Sequence, residues 1–199
     1  MEIVLATQNR DKIKEIREIL KGIPVKLITF DEHSRELCVE EDGKTLEENA
    51  IKKAEVWMKE TEKPALADDS GLEVDYLNGA PGVYSSRFAG ENVNYADNNV
   101  KLLKMMEGVP EEKRTARFRC IAALIFPDGG KELFEGTIEG IIINAPRGES
   151  GFGYDPIFLI PEYNKTFAEL GDEIKNKISH RAMAFSKFRK YLEIYLNKG

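Results

Sequence analysis

Apolar positions recur along the chain in two rhythms. At residues 2–6 they run almost without a break, the pattern of a strand covered on both faces. A polar turn follows, then Ile13, Ile16, Ile19 and Leu20 at helical spacing, so the chain opens strand, loop, helix. A second strand is expected at 25–30. Residues 45–60 predict a helix with Thr45 as N-cap and Glu48 three residues on, the two halves of a capping box. Residues 65–67 predict a short strand that ends at Asp68, Asp69, Ser70 and Gly71, and 72–76 a further one. The segment 78–91, rich in Gly, Pro, Ser and Ala, reads as a long loop, and long loops in compact domains are usually functional. Helical spacing returns over 95–106. Two β-rich runs, 115–126 and 133–143, flank the turn signal Pro127, Asp128, Gly129, Gly130, which makes a hairpin and therefore a mixed sheet. A second glycine-rich loop, 147–155, precedes a strand at 156–160, and a helix over 180–196 closes the chain. The fold class is α/β, and with no repeat, linker or low-complexity tract, 1–199 is expected to form one domain.

Composition narrows the function. A chain of 199 residues with 42% apolar side chains can bury one sizeable core. The apolar runs at 121–126 and 141–143 fall far short of the roughly 20 residues that span a bilayer, and the N-terminus enters a strand directly. A cytoplasmic protein with no membrane association is expected. The two cysteines, Cys38 and Cys120, lack CxxC spacing and read as ordinary buried or half-buried thiols, so neither a disulfide framework nor a zinc site is indicated. A formal charge of −6, with cations interspersed among acids, opposes a nucleic-acid partner but leaves room for a small phosphorylated ligand held by a few focused cations.

Four loops offer such a focus. Thr7, Gln8, Asn9, Arg10, Asp11 and Lys12 lie where a strand feeds a helix N-terminus, whose free N–H groups and positive dipole end suit phosphate oxygens; Thr7 or Asn9 could equally serve only as a cap. Glu40, Glu41 and Asp42, with Asp68 and Asp69, supply the hard oxygen ligands that Mg²⁺ prefers, or a base that orients water; the first three could instead be a solvated acidic turn. Gly151, Phe152, Gly153, Tyr154 and Asp155 set aromatic rings in a flexible loop, where a ring can stack on a nucleobase or plug the core. Ser179, His180 and Arg181, with Lys175 just before, could meet phosphate or a purine carbonyl oxygen, or be a cap and two exposed cations. Lys53, with Asn49 and Lys52, can point from the helix after the acidic turn to the same place. No Ser-His-Asp or reactive-cysteine pattern competes.

The stretches LATQNRDK from Leu5, EEDGKTLEENA from Glu40, ADDSGLEVD from Ala67, GAPGVYSSRFAG from Gly79, GFGYDPIF from Gly151, TFAEL from Thr166 and SHRA from Ser179 resemble, in order and spacing, the inosine triphosphate pyrophosphatases. These are also called non-canonical purine nucleoside triphosphate pyrophosphatases. The resemblance implies an elongated, mixed and twisted β-sheet flanked by helices, two lobes around a central cleft, and a homodimer. It implies hydrolysis of ITP, dITP and XTP to monophosphate and pyrophosphate by Mg²⁺-assisted attack of water on the α-phosphorus. Thr7 to Lys12 would hold the triphosphate, Asp69 would be general base and metal partner, Glu41 a metal ligand, and Ser70 and Lys53 phosphate contacts. Phe152, Gly153, Tyr154 and Asp155 would embrace base and sugar, and Lys175, His180 and Arg181 would complete purine recognition. Gln8, Asp11 and Ala182 depart from the family pattern, glycine being usual at the first and third. The alternatives are a septum-inhibitor-type nucleotide pyrophosphatase, with pyrimidine or modified substrates, and a catalytically silent nucleotide sensor.

Overall fold

The computed structural model describes all residues except 33–36, 38, 198 and 199, so the reading of Cys38 lies outside the described residues. The chain forms β1 (Glu2–Leu5), α1 (Arg10–Ile19), β2 (Lys26–Ile28), α2 (Leu46–Thr61) and β3 (Ala65–Val74). It continues through α3 (Tyr95–Met105), β4 (Thr115–Ile125), β5 (Lys131–Ile142), β6 (Phe158–Ile160), β7 (Lys165–Thr166), α4 (Phe167–Ile178) and α5 (His180–Leu196). Together the strands make one seven-stranded sheet in the order β2-β1-β3-β4-β5-β6-β7. β1 pairs with β2 and β3 in parallel, whereas β6 pairs with β5 and β7 antiparallel, so the sheet is mixed, as the sequence predicts.

Two compact units divide the chain: residues 1–69, 120–136 and 180–199, and residues 70–119 and 137–179. The first is centred on Ile3, Leu5, Ile16, Leu66, Leu124, Phe185 and Phe188. The second has its own core, with Leu72, Leu102, Phe118, Phe158 and Phe167 among its members. No described helix is long and apolar enough to cross a membrane.

Three local features differ from the sequence reading. Residues 65–67 and 72–76 are not two short strands; β3 runs unbroken from Ala65 to Val74, so Asp68 and Asp69 lie inside a strand and not at its end. Gly71 permits this: a Cβ there would come within 2.5 Å of the Gly82 carbonyl oxygen. At α2, Thr45 caps the Glu48 N–H as predicted, but Glu48 Oε2 accepts from Lys44 N at 2.6 Å, so the reciprocal half reaches one residue further back. The long loop 78–91 contains a 3-10 helix at Gly82–Arg87.

Two contacts place the elements that matter most below. Arg114 is buried and donates to the carbonyl oxygens of Ile142, Met106 and Ile143 at 2.5, 2.7 and 3.1 Å, which ties the C-terminus of α3 to the end of β5. At Gly136 on β5 a Cβ would stand 2.0 Å from the His180 carbonyl oxygen and 2.6 Å from Ala184 N, so the first turn of α5 seats directly on the strand backbone. Gly136→Ala is expected to lift that turn and lower the unfolding free energy by about 3 kcal/mol, the upper range for overpacking. Urea unfolding followed by circular dichroism checks this, and a midpoint equal to wild type contradicts the close seating.

Candidate active site

β3 carries two neighbouring carboxylates into the interior of the first unit, where an isolated charge is costly. Asp68 takes its partners from α1 and α5: Lys12 Nζ lies 3.1 Å from Oδ2, and Arg181 Nε and Nη2 each lie 3.3 Å from it. Arg181, only 2% exposed, also donates to Glu15 Oε2 at 2.5 Å. Burial opposes ionisation of Asp68, yet Lys12, Arg181 and Lys53 outweigh it and hold its carboxyl well below the usual carboxylate range.

Asp69 turns to α2. Its Oδ1 accepts from Lys53 Nζ at 2.8 Å and its Oδ2 from Asn49 Nδ2 at 3.3 Å. The same Lys53 ammonium donates to Glu41 Oε1 at 2.7 Å, so one buried cation draws two carboxylates to one point. Asn49 Oδ1 in turn accepts from Gly43 N at 2.8 Å, which fastens the acidic turn to α2. Burial, helped by the Glu41 charge, pushes the Asp69 carboxyl above its ordinary range against the pull of Lys53 and Lys12. The Lys53 ammonium is driven the other way: burial disfavours it, but Asp69, Glu41 and Asp68 prevail and keep it charged well above the usual lysine range. Among the described residues of this cluster, Lys12, Lys53 and Arg181 face Glu15, Glu41, Asp68 and Asp69, three cations to four carboxylates. The cluster carries an excess of negative charge, and Glu41 and Asp69 bring together hard oxygens of the kind a divalent cation takes; among the described residues no third carboxylate, histidine or cysteine joins them in a metal-holding group.

The second unit holds the aromatic set. Gly151 and Gly153 have φ of 78° and 64°, the left-handed region that favours glycine, and between them Phe152 stands half-buried. Asp155 is buried and organises the loop: its Oδ2 accepts from Phe152 N at 2.9 Å and from Lys175 Nζ, and a Cβ at Gly151 would collide with it. Lys175 Nζ also lies 4.4 Å from the centroid of the Phe152 ring, a cation–π contact on that ring.

Other expected site residues are placed as follows. Asn9 caps α1, its Oδ1 accepting from Asp11 N and Lys12 N, and Thr7 Oγ1 accepts from Asn9 N. Gln8 is exposed and donates to Leu37 O; Asp11 is exposed. Arg10, its side chain 79% exposed, pairs with Asp31 at 3.3 Å and lies over the Phe30 ring, so of the six residues Lys12 is the one that reaches the carboxylates. Ser70 follows Asp69 on β3 and is half-buried. Tyr154 is buried in the core of its unit, its hydroxyl donating to Ser85 O at 2.9 Å. His180 and Arg181 are buried where α5 begins, not exposed cations. Glu15 is the participant the sequence reading missed; its signal was its place three residues after Lys12, on the same helical face.

Removing one partner from a buried charge pair costs about 3–5 kcal/mol. Arg181→Met is therefore expected to lower the unfolding free energy by about 3 kcal/mol, and much less when Glu15→Gln is added. A double-mutant cycle on thermal unfolding checks this; additive losses would contradict a direct Arg181–Glu15 pair.

The chain is similar in sequence and fold to known proteins. The model of the Ham1 family matches residues 3–191. A dITP/XTP pyrophosphatase of Desulforamulus reducens is 51% identical over 199 residues, covering 100% of this chain and 99% of that protein. One from Bacillus subtilis is 49% identical over 194 residues, covering 96% and 97%. Among solved structures, a HAM1 protein from Coxiella burnetii superposes with a TM-score of 0.89 at 44% identity, covering 97% of this chain and 98% of that one. The Staphylococcus aureus Ham1 protein gives 0.87 at 43%, with the same coverage. Matched along nearly all of its length in sequence and in fold, the chain belongs to the Ham1 family.

Proposed function

We propose that this chain is a nucleoside triphosphate pyrophosphatase that hydrolyses non-canonical purine nucleotides, dITP, XTP and ITP, to the monophosphate and pyrophosphate. The names of its relatives support the substrate class. The observation that carries the chemistry is the Lys53 ammonium shared by Asp69 and Glu41. Glu41 and Asp69 would hold Mg²⁺, which when bound there neutralises phosphate charge and that of the departing pyrophosphate.

Asp69 takes a proton from water as the water oxygen bonds to the α-phosphorus. The anhydride bond to the β-phosphate breaks, and its electron pair leaves with pyrophosphate. The Asp69 carboxyl suits this work because its burial raises its basicity, while Lys53 and Asn49 fix both of its oxygens. Lys12, beside Asp68 near the N-terminus of α1, offers its cation to the phosphates, while Asn9 caps the backbone N–H groups of Asp11 and Lys12. Ser70 and Lys53 add phosphate contacts. Arg181 acts through Asp68, which it and Lys12 keep ionised.

The half-buried Phe152 ring takes the base by stacking, with Lys175 and the 151–155 backbone supplying polar contacts. A donor at the purine 6-position pairs with an oxo group but faces another donor when the base is adenine. Each unpaired buried donor costs about 1–3 kcal/mol, so two such mismatches exclude ATP by about 100-fold or more. Family resemblance supports a single functional domain acting as a cytoplasmic homodimer.

Asp69→Asn is expected to lower kcat for dITP by about 10³-fold, within the range that general bases contribute, while the Kd of a non-hydrolysable dITP analogue stays within about threefold. Coupled pyrophosphate release and calorimetric titration read the two quantities, with XTP and ITP turned over far faster than UTP or dTTP by the wild type. Near wild-type turnover by the variant would refute the base.

A further inference from the structure

α3 sends side chains to two loops of its unit. Tyr95 and Asn99 stand four residues apart and share a helical face. Asn99 Nδ2 donates to Gly153 O at 3.0 Å, and the Tyr95 ring lies 5.8 Å from that of Phe152, tilted by 41°. The neighbouring Asn98 holds the other loop: its Nδ2 donates to Ser86 O at 3.0 Å and its Oδ1 accepts from Ala89 N at 2.7 Å. With the Tyr154 hydroxyl on Ser85 O, the segment 79–90, which the chemistry above does not use, is joined to the Phe152 loop on both sides of α3.

These contacts act where the backbone is least able to hold itself. Phe152 is flanked by two glycines in the left-handed region, where glycine has wide conformational freedom. Its ring position is therefore set by what touches the loop, which includes Asp155 on the Phe152 N–H, Lys175 on the ring, Tyr95 beside it, and Asn99 on the Gly153 carbonyl. Asn99 is 8% exposed, and among the described residues its Oδ1 accepts no hydrogen bond. Turning the amide over would set Oδ1 against the Gly153 oxygen, so the donor orientation is fixed by that one bond.

We propose that Asn99 and Tyr95 are positioning residues for nucleobase recognition, which set from α3 the place of Phe152 and of the 151–155 backbone that supplies polar contacts to the base, and hence the preference for 6-oxo over 6-amino purines, without taking part in hydrolysis. The inference rests on reading Phe152 as the stacking residue. Asn99→Leu keeps the size and removes the donor. Loss of that hydrogen bond is expected to raise KM for ITP about tenfold, to leave kcat within about twofold, and to lower the ITP-to-ATP ratio of kcat/KM about tenfold. Tyr95→Ala, at a position 40% exposed, is expected to fold with an unchanged Tm and to raise KM in the same way, so it decides the matter if Asn99→Leu does not fold. A lowered Tm with wild-type KM and wild-type discrimination in Asn99→Leu, or wild-type values in Tyr95→Ala, would overturn the proposal. Phe152→Ala separates the two levels. If it raises KM about tenfold while both α3 variants match wild type, only the role of α3 is lost; if it too matches wild type, the stacking reading falls and takes this inference with it.

Discussion

A carboxylate inside a β-sheet is unstable unless cations come to it, and much of the first unit is arranged around that requirement. Asp68 and Asp69 sit side by side in β3 with almost no exposure. Their compensation arrives from three helices: Lys12 on α1, Lys53 on α2 and Arg181 at the start of α5. Each helix must seat closely for its cation to reach, which explains the small side chains Ala182 and Ala184 and the bare backbone of Gly136 under the first turn of α5. The same packing that stabilises the charges fixes their geometry. Lys53 cannot leave Asp69 without stranding a buried charge, so its ammonium holds Asp69 and Glu41 at one point.

The second unit solves a different problem. The Phe152 ring stands half-buried between two glycines, and its loop is held by its neighbours. Asp155 collects the Phe152 N–H and the Lys175 ammonium, and α4 delivers Lys175. Gly171, with φ 76° and ψ 170°, breaks α4 so that its second half takes a new direction before reaching Lys175. Helix-borne side chains thus hold both sets of residues, the carboxylates of β3 and the Phe152 loop.

Much of this was legible in the sequence because local rules govern it. The strand-loop-helix opening, the Thr45 cap, the hairpin around Asp128 and the limits of α5 all follow from periodicity and turn chemistry. What escaped depends on distant partners. Asp68, Asp69, Ser70 and Gly71 look like a turn, yet they continue as a strand whose carboxylates are paired by Lys12, Lys53 and Arg181, all distant in the sequence. The family resemblance implies a purine contact for Arg181, and nothing in the sequence signals that its guanidinium is engaged by Glu15 and Asp68. α4 was passed over because Gly171 divides its apolar period into two short pieces, although Thr166 and Glu169 form a capping box that marks its start. Tyr154 carries the same aromatic signal as Phe152, two residues away, and only the fold separates the buried ring from the half-buried one.

In the proposed reaction the carboxylates gathered by Lys53 direct water to the α-phosphorus, and pyrophosphate leaves whole. Hydrolysis of dITP in water enriched in oxygen-18, with the products separated and weighed by mass spectrometry, tests it most directly. One heavy oxygen should appear in the monophosphate and none in pyrophosphate. Label in pyrophosphate, or release of inorganic phosphate in its place, would mean that water attacks elsewhere and that the carboxylate pair does not do what is assigned to it.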